Sequence, residues 1–308
     1  MKKNLFILFV GALAALTFNS CGNKSEKTDG NSDSVVFNYT PAEPVNGEKK
    51  AVVELGASGF NYFAVEIDKD KNWKILKKEF GNSLVSENMT NVNTIKTKLK
   101  DYINSILENT GVAGKDIHFV VSSGAQKEKI IEKITDALKQ MGYQVNAVTP
   151  EQEAEYAFLS TMAKGYEDKS IVVDLGSGNT KISWMENGKI NSQETYGARY
   201  FTKNVTDKTA YADVKQKMVG VPEKNCKVMF LIGGVPFKMA DMQKKGGERF
   251  TMLSTKITDY NELAEKEGDK MKAGLNIYSA ILAATDLKQV VFDWDANFAI
   301  GFLLQMQQ

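Results

Sequence analysis

The sequence has very little histidine and cysteine and no excess of charge of either sign. One His and two Cys among 308 residues are too few for a zinc site of the usual Cys/His kind. The 39 Lys+Arg and 38 Asp+Glu leave a net charge of +1, which argues against electrostatic binding of nucleic acid. The apolar fraction of 43% and the charged fraction of 25% are typical of a globular protein, and the length predicts about two domains with a large core.

The first 21 residues have the pattern of an export signal. Lys2 and Lys3 precede a short apolar run at residues 5–16, which ends in small or polar residues before Cys21. This pattern resembles a bacterial lipoprotein signal, so we expect residues 1–20 to be removed and Cys21 to carry the lipid; an ordinary secretory signal is the alternative. The expected location is the cell envelope, anchored at the periplasmic face of the outer membrane. Cys226 then has no partner within the chain, which excludes a disulfide framework and predicts a buried thiol.

Beyond a tether at residues 21–48, which is rich in Gly, Ser, Asn, Asp, Glu and Pro, the chain repeats one pattern. Residues 51–67 and 171–186 each contain a β-branched run, an acidic residue, Leu-Gly, a small polar turn and a second, alternating strand. The acidic residues Glu54 and Asp174 are equivalent in the two segments. A third strand follows each hairpin, at residues 73–80 and 189–196.

Helical and strand patterns then alternate in both halves. In the first half, residues 49–165, strands are predicted at 117–123 and 144–148, and a capping box with Pro150 at the first helical position opens a helix. The second half, residues 166–308, restarts with three strands, a helix near 213–219, a strand at 227–232 and further helices. Each half reads as βββαβαβα, which predicts an α/β fold of duplicated actin-like, or ribonuclease H-like, domains facing each other across a cleft.

Glycine-rich turns at the strand ends suit phosphate binding. Such a turn presents backbone N–H groups to a phosphate, and an acidic residue at its base can hold a metal ion or its water. The acidic candidates are Glu54 and Asp174. The alternative is that the glycines serve only tight turns. The candidate phosphate-binding residues of the three turns are Gly56 and Ser58, then Gly176, Ser177, Gly178 and Asn179, and finally Gly233 and Gly234.

Between residues 50 and 305 the chain contains the segments VVELGASGFNYFAVEI, FVVSSGAQKEKI, VNAVTPEQEAEYAFL, VVDLGSGNTKISWMENGKI, TYGARYFTKNV and LIGGVPFKMADM. Together they resemble the exopolyphosphatase / guanosine pentaphosphate phosphatase family. The resemblance implies that Glu153 is the base that activates water, that Asp174 is a second catalytic carboxylate and that Ser123 contacts phosphate. It also implies Mg²⁺ or Mn²⁺ as the cofactor, polyphosphate or a phosphorylated small molecule as the ligand, no nucleic-acid partner, and a homodimer.

The sequence departs from the family's pattern at several site positions. The Arg of the family's Thr-Ser-Ala-x-Arg block is replaced by Gln126, and the Glu that closes the second glycine-rich loop is replaced by Lys181. The late Arg-Glu-Gly triplet reads Ala299-Ile300-Gly301. Gln126 loses the bidentate grip of an arginine on phosphate, and Lys181 reverses a charge where a divalent ion or a water would be steadied.

Two hypotheses about function follow from these retained and lost residues. One is a divergent phosphohydrolase of the cell envelope that hydrolyses a phosphoanhydride or another phosphorylated compound, with Glu153 as the base. The alternative is an inactive family member that binds a phosphorylated ligand or a protein partner. Lys181 discriminates between them: it could neutralise a phosphate as a point charge, or it could pair with Asp174 or Glu153 and take the place of a metal, which favours the inactive member.

Overall fold

A computed structural model gives the structure of residues 37–56, 59–82 and 91–307. Within these residues, the first half of the chain forms a five-stranded sheet with three α-helices. The element order is the βββαβαβα that the sequence predicts. The strands are β1 (Glu48–Gly56), β2 (Gly59–Ile67), β3 (Trp73–Asn82), β4 (Ile117–Val121) and β5 (Val145–Ala147), and the helices are α1 (Val92–Thr110), α2 (Lys129–Gln140) and α3 (Pro150–Thr161).

Helix α3 begins where its sequence supplies both halves of a capping box. The Thr149 side chain accepts a hydrogen bond from the backbone N–H of Gln152 (3.2 Å), and the Gln152 side chain accepts one from the backbone N–H of Thr149 (3.0 Å). Pro150 has no N–H to leave unsatisfied and its φ is already helical. The first turn of α3 is therefore fixed in place, and this turn carries one of the site carboxylates.

The second half repeats the architecture of the first and extends it. Its first three strands again form two antiparallel hairpin connections, and its fourth strand again pairs in parallel with the first. The strands are β6 (Ser170–Leu175), β7 (Asn179–Glu186), β8 (Lys189–Tyr196), β9 (Val228–Ile232), β10 (Phe250–Leu253) and β11 (Gln289–Asp293), and the helices are α4 (Asp207–Met218), α5 (Gly234–Gln243), α6 (Asn261–Glu267), α7 (Asp269–Ala283) and α8 (Phe298–Gln305).

The two sheets confirm the duplicated α/β architecture, with one addition in the second half. The first sheet has the order β3-β2-β1-β4-β5, and the second has the order β8-β7-β6-β9-β11-β10. Strand β11 takes the position that β5 has in the first sheet, and β10 adds an antiparallel edge strand that the sequence pattern did not predict. Four residues are too few for an alternating pattern to be recognised. Helix α4 also begins earlier than predicted, at Asp207, because Thr206 caps it.

Helices α3 and α8 tie the two halves together. Helix α3 belongs to the first half but packs on β6, β7 and β8, whereas α8 belongs to the second half and packs on β1 and β2. The two helices also pack on each other, so closely that a Cβ on Gly301 would collide with the carbonyl oxygen of Tyr156. Their buried faces belong to one apolar cluster with residues of both sheets, such as Val52 and Val172. The described residues form one compact unit, and the domain boundary between residues 165 and 166 stays a prediction.

The last part of the predicted tether is packed on both halves. The Phe37 ring lies 5.1–5.5 Å from the rings of Tyr166, Phe230 and Phe250, and the Val45 backbone N–H donates to the Asp68 carboxylate (3.0 Å). A predicted tether reaching residue 48 is therefore too long, because apolar and aromatic side chains interrupt its polar composition. No helix of the described residues is long and apolar enough to cross a membrane. The predicted signal at residues 1–20, Cys21 and Ser58 lie outside the described residues.

Candidate functional site

The turns that the sequence singles out meet around one cavity between the two sheets. The cavity has a volume of about 340 Å³ and is lined by residues of both halves. Parallel strands β1 and β4 end at the same edge of the first sheet, as do β6 and β9 in the second, so the loops that follow them converge. The predicted site residues that line the cavity are Glu54, Gly56, Glu153, Asp174, Gly176, Ser177, Gly178, Asn179, Gly233 and Gly234.

Glu54, on β1, is a half-buried carboxylate held by two amide groups. Its Oε2 accepts hydrogen bonds from the Asn61 side chain (2.8 Å) and from the Asn297 side chain (3.1 Å). Burial raises the pKa of Glu54; the two amide hydrogen bonds partly offset this, and the negative charge of Glu153 adds to it. Asn297 also caps helix α8 through its Oδ1, so the start of that helix and the position of Glu54 are set together.

Asp174, on β6, is the carboxylate with the most freedom to bind something else. Its side chain makes no hydrogen bond to any of the residues that the structure describes, and it lines the cavity. Burial raises the pKa of Asp174 to about 7; the Lys181 charge opposes this rise, and the charges of Glu153 and Glu54 add to it. Asp174 and Lys181 are directly opposite each other in the β6–β7 hairpin, so their side chains share one face of the sheet.

Glu153, in the first turn of α3, has both carboxylate oxygens occupied by other groups. Its Oε2 accepts hydrogen bonds from the Ser123 backbone N–H (2.8 Å) and the Ser123 hydroxyl (2.5 Å). Its Oε1 forms a very short ion pair with the Lys181 ammonium. Only 4% of Glu153 and 2% of Lys181 is exposed, so the pair is almost completely shielded from water.

Lys181 and Ser123 are the predicted phosphate contacts that do not line the cavity. The Lys181 ammonium is bound by Glu153 and by the Asn179 side-chain oxygen (2.6 Å). The Ser123 hydroxyl accepts a hydrogen bond from the Asn179 amide (3.1 Å) while it donates to Glu153. The structure thus places both residues behind the cavity wall, where they hold Glu153 and Asn179. The reason is the packing of α3 on β7, which brings the Glu153 carboxylate to the ammonium before a ligand can reach it.

The structure also shows what the other residues that depart from the family's pattern contact. Gln126 donates a hydrogen bond to the Val148 carbonyl (2.5 Å), so it holds two loops of the first half together. Gly301 lies in the α3–α8 contact, with Ala299 and Ile300 fully buried beside it. Gly124 and Gly178 bring the loops of the two halves into contact, since a Cβ on Gly178 would lie 3.4 Å from the Gly124 Cα.

Sequence reasoning missed a cation and an aromatic wall of the same cavity. Lys270, near the start of α7, lines the cavity and lies beside the Gly233–Gly234 turn. Its position in the first turn of a helix is a usable signal, because a cation is unfavourable there. The aromatic residues that line the cavity are Phe80, Phe237, Phe292, Trp294 and Phe298. The last three lie close together in the sequence, at the end of β11 and the start of α8, but Phe80 and Phe237 come from distant elements, so no sequence pattern groups all five.

The donor set of the cavity fits a divalent cation that arrives together with a phosphate ligand. Asp174 has no hydrogen-bond partner among the described residues, and its pKa is raised mainly by burial, with the charges of Glu153 and Glu54 adding to the rise, so a cation beside it would be favourable. Within the described ranges, no three His, Cys, Asp or Glu side chains form a group that could hold a metal ion alone. Mg²⁺ is often bound by one or two carboxylates plus the phosphates of a ligand. Asp174, with Glu54 behind it, would hold such an ion, which would neutralise phosphate charge.

Solved structures of other proteins share this fold. The Ppx/GppA family member of Aquifex aeolicus is 17% identical, with a TM-score of 0.63 over 84% of this chain and 97% of that chain. An exopolyphosphatase from Cytophaga hutchinsonii is 14% identical, with a TM-score of 0.61 over 84% of this chain and 98% of that chain. Likeness at this level of identity establishes the two-domain actin-like fold.

Sequence comparison identifies the family. A search of curated protein sequences gave no match. The sequence model of the Ppx/GppA phosphatase family matches residues 126–281, just over half of the chain, and this range contains Glu153, Asp174, Lys181 and the Gly233–Gly234 turn. The chain therefore belongs to the Ppx/GppA phosphatase family.

Proposed function

We propose that this protein binds a phosphorylated compound in the cavity and that Glu153 does not activate water there. The observation that carries the proposal is the buried ion pair between Lys181 and Glu153. Membership of a phosphatase family that acts on polyphosphate and related phosphorylated substrates gives the class of ligand. The glycine-rich loops that would receive its phosphates line the cavity in both halves.

A general base needs a lone pair that points at the water whose proton it takes. In Glu153, one oxygen accepts two hydrogen bonds from Ser123 and the other is paired with the Lys181 ammonium. Taking a proton would break this pair and leave the Lys181 ammonium, which is 2% exposed, with only the Asn179 oxygen and the charges of Asp174 and Glu54 as compensation. Removing one charge from a buried pair typically costs about 3–5 kcal/mol, so the arrangement opposes the step that hydrolysis would ask of Glu153.

The binding part of the cavity does not depend on that step. Backbone N–H groups of the glycine-rich turns can donate to phosphate oxygens whatever the state of Glu153. Asp174 has no hydrogen-bond partner among the described residues, so it can take a divalent ion that bridges to the phosphates. The protein thus keeps the means of binding phosphate while the expected catalytic carboxylate is neutralised.

Phosphoanhydride hydrolysis is the second candidate function. The specific observation in its favour is that Glu153 and Asp174 both line the cavity where the phosphates would lie, as expected of two catalytic carboxylates. In that case the Lys181–Glu153 pair has to open when substrate and metal enter. The two candidates therefore differ in whether phosphate is released, not in where the ligand binds.

One experiment on the purified protein separates the candidates. Binding of tripolyphosphate is measured by calorimetry with and without Mg²⁺ or Mn²⁺, and orthophosphate release is measured on the same samples. We expect saturable binding without release above that of a buffer blank. Release that disappears in Glu153→Gln would establish the hydrolase instead. An absence of binding by a folded sample would refute both candidates and leave a protein partner as the next ligand to test.

We also propose that the protein is a lipid-anchored component of the cell envelope, at the periplasmic face of the outer membrane. This proposal is supported by the residues before Cys21. Mass spectrometry of the protein from membranes tests it, with Cys21→Ser as the control. The expected result is an acylated N-terminus at Cys21 that is lost in the variant. An unmodified N-terminus would favour an ordinary secretory signal.

A further inference from the structure

The charges around the cavity are unbalanced in a way that concerns its ligand. Among the described residues, four carboxylates line it: Glu54, Glu153, Asp174 and Asp293. Glu153 is paired with Lys181, and Asp293 is held by Arg249 through two hydrogen bonds of 3.0–3.1 Å. Among the described residues, Lys270 is the one basic side chain that lines the cavity. Within the described ranges, an anionic ligand in the cavity therefore meets one cation, Lys270.

Lys270 is placed where a cation is unfavourable without an anion beside it. It is half-buried, it lies in the first turn of α7 near the positive end of the helix dipole, and the charge of Arg199 adds repulsion. Burial, followed by that charge, lowers the pKa of Lys270. In the part of the chain that the structure describes, no carboxylate pairs with Lys270; a neighbour on the same helix, Lys272, pairs with Glu265 at 2.9 Å.

Both basic residues are held next to the glycine-rich turns. The Lys270 ammonium lies 3.9 Å from the point that a side-chain carbon on Gly234 would occupy. Two backbone hydrogen bonds anchor the Arg199 segment on the second turn: the Ala198 N–H donates to the Gly176 carbonyl (2.9 Å), and the Arg199 N–H donates to the Ser177 carbonyl (3.0 Å). Lys270 thus borders the third turn, and Arg199 is anchored on the second.

We propose that Lys270, assisted by the charge of Arg199, binds an anionic phosphate group of the ligand on the Gly233–Gly234 side of the cavity. This inference rests on the proposed function. Lys270 offers a positive charge that can bind phosphate directly, whereas the negatively charged Asp174 can bind only a cation. Because Asp174 and Lys270 both line the cavity, we expect a ligand with at least two phosphate groups, one for a metal ion at Asp174 and one for Lys270. Tripolyphosphate meets that requirement, and orthophosphate does not.

The test compares Lys270→Gln with Lys272→Gln, a matched control on the same helix whose lysine does not line the cavity. Calorimetric titration with tripolyphosphate and Mg²⁺ measures the Kd of each protein. Hydrogen bonds to charged groups contribute about 1.5–3 kcal/mol, so we expect Lys270→Gln to weaken binding by about 10- to 100-fold and Lys272→Gln by less than about two-fold. Lys270→Arg should retain most of the affinity, and orthophosphate should be insensitive to all three substitutions.

Thermal unfolding without ligand separates binding from a structural role. If Lys270 exists to bind an anion, removing its charge from the helix N-terminus leaves the free protein as stable as before or more stable. An unchanged Kd of Lys270→Gln would overturn the proposal whatever its Tm. An unchanged Kd together with a lower Tm would show that Lys270 has a structural role instead. If the wild-type protein binds no tripolyphosphate, the proposed function fails and this inference fails with it. Binding that Lys270→Gln does not weaken refutes the inference alone.

Discussion

Replacing Lys181 by Met tests whether the buried ammonium balances the carboxylates around the cavity. The variant keeps an unbranched side chain but removes the cation that pairs with Glu153 and lowers the pKa of Asp174 and of Glu54. Because the pair is shielded from water, solvent screening does not weaken it as it weakens an exposed ion pair. We expect Lys181→Met to lower the free energy of unfolding by about 3–5 kcal/mol at neutral pH, measured by urea denaturation.

Glu153→Gln removes the other charge of the same ion pair and is the matched comparison. That variant should lose less stability, because Lys181 still has Asp174 and Glu54 as neighbours, whereas Lys181→Met leaves three carboxylates without a cation. The double variant should recover most of the loss, since neutral groups often replace a buried ion pair without penalty. A double-mutant cycle should therefore give a coupling of about 2 kcal/mol or more. A Lys181→Met protein as stable as the wild type would refute this account of the site.

The same account predicts how the charge-reversed variant responds to metal. Lys181→Glu adds a carboxylate to Glu54, Glu153 and Asp174 and removes their cation, so its folded state should take up a divalent ion. Ligands that bind only the folded state raise Tm by mass action. Mg²⁺ or Mn²⁺ should therefore raise the Tm of Lys181→Glu well beyond its effect on the wild type. Equal shifts for the two proteins would contradict the view that Lys181 occupies the place of a cation.

Three further substitutions test the frame that holds the site. Asp293→Asn breaks the two-hydrogen-bond pair with Arg249 and should lower the free energy of unfolding by about 3 kcal/mol in urea; a loss below about 1 kcal/mol would mean that the pair is effectively solvated. Gly301→Ala inserts a methyl group against the Tyr156 carbonyl and should cost about 1–3 kcal/mol by the same assay, whereas an unchanged midpoint would mean that α8 can move away freely. Asp68 should make the fold acid-sensitive: burial alone would raise its pKa, but hydrogen bonds from one side chain and several backbone N–H groups lower it to about 2. Because the folded pKa is below the usual value, this stabilisation is present at neutral pH and is lost as pH falls from about 4 to about 2; Asp68→Asn should have a lower Tm at neutral pH and lack that loss in a pH series of thermal melts.

Local patterns predict the first half of the fold well because its signals are local. The hairpin of residues 51–67 alternates in hydrophobicity, and the Thr149–Gln152 capping box fixes the start of α3 without any tertiary contact. The second half is harder to predict because β10 has four residues and pairs with β11, which lies 37 residues further along the chain at the nearest pair, Leu253 and Val290. Nothing local distinguishes such a short edge strand from a loop.

In the candidate site, too, the residues in local sequence patterns could be predicted, and those that depend on tertiary packing could not. Glu54 and Asp174 could be predicted because each lies in a repeated hairpin, and the position of Glu153 follows from a helix start. The pairing of Lys181 with Glu153 could only be posed as an alternative, because it depends on α3 crossing to pack on the second sheet. Lys270 was missed for a different reason: its position in the first turn of a helix is a weak signal, because a lysine in a helix is common, and only the structure shows that it lies beside the cavity.

The crossing of α3 and α8 is consistent with the proposal that one substitution changes the chemistry of the site while the fold persists. Helix α3 brings Glu153 to the second sheet, where the residue opposite Asp174 in the β6–β7 hairpin decides what the carboxylate meets. With lysine at that position, the Glu153 carboxylate forms an ion pair with the Lys181 ammonium, and the two charges neutralise each other. The helix contact at Gly301 and the turns that face a phosphate are unaffected, because they rest on backbone shape and apolar packing. The proposed loss of hydrolysis therefore requires no loss of phosphate binding, since the two would depend on different atoms of the same cavity.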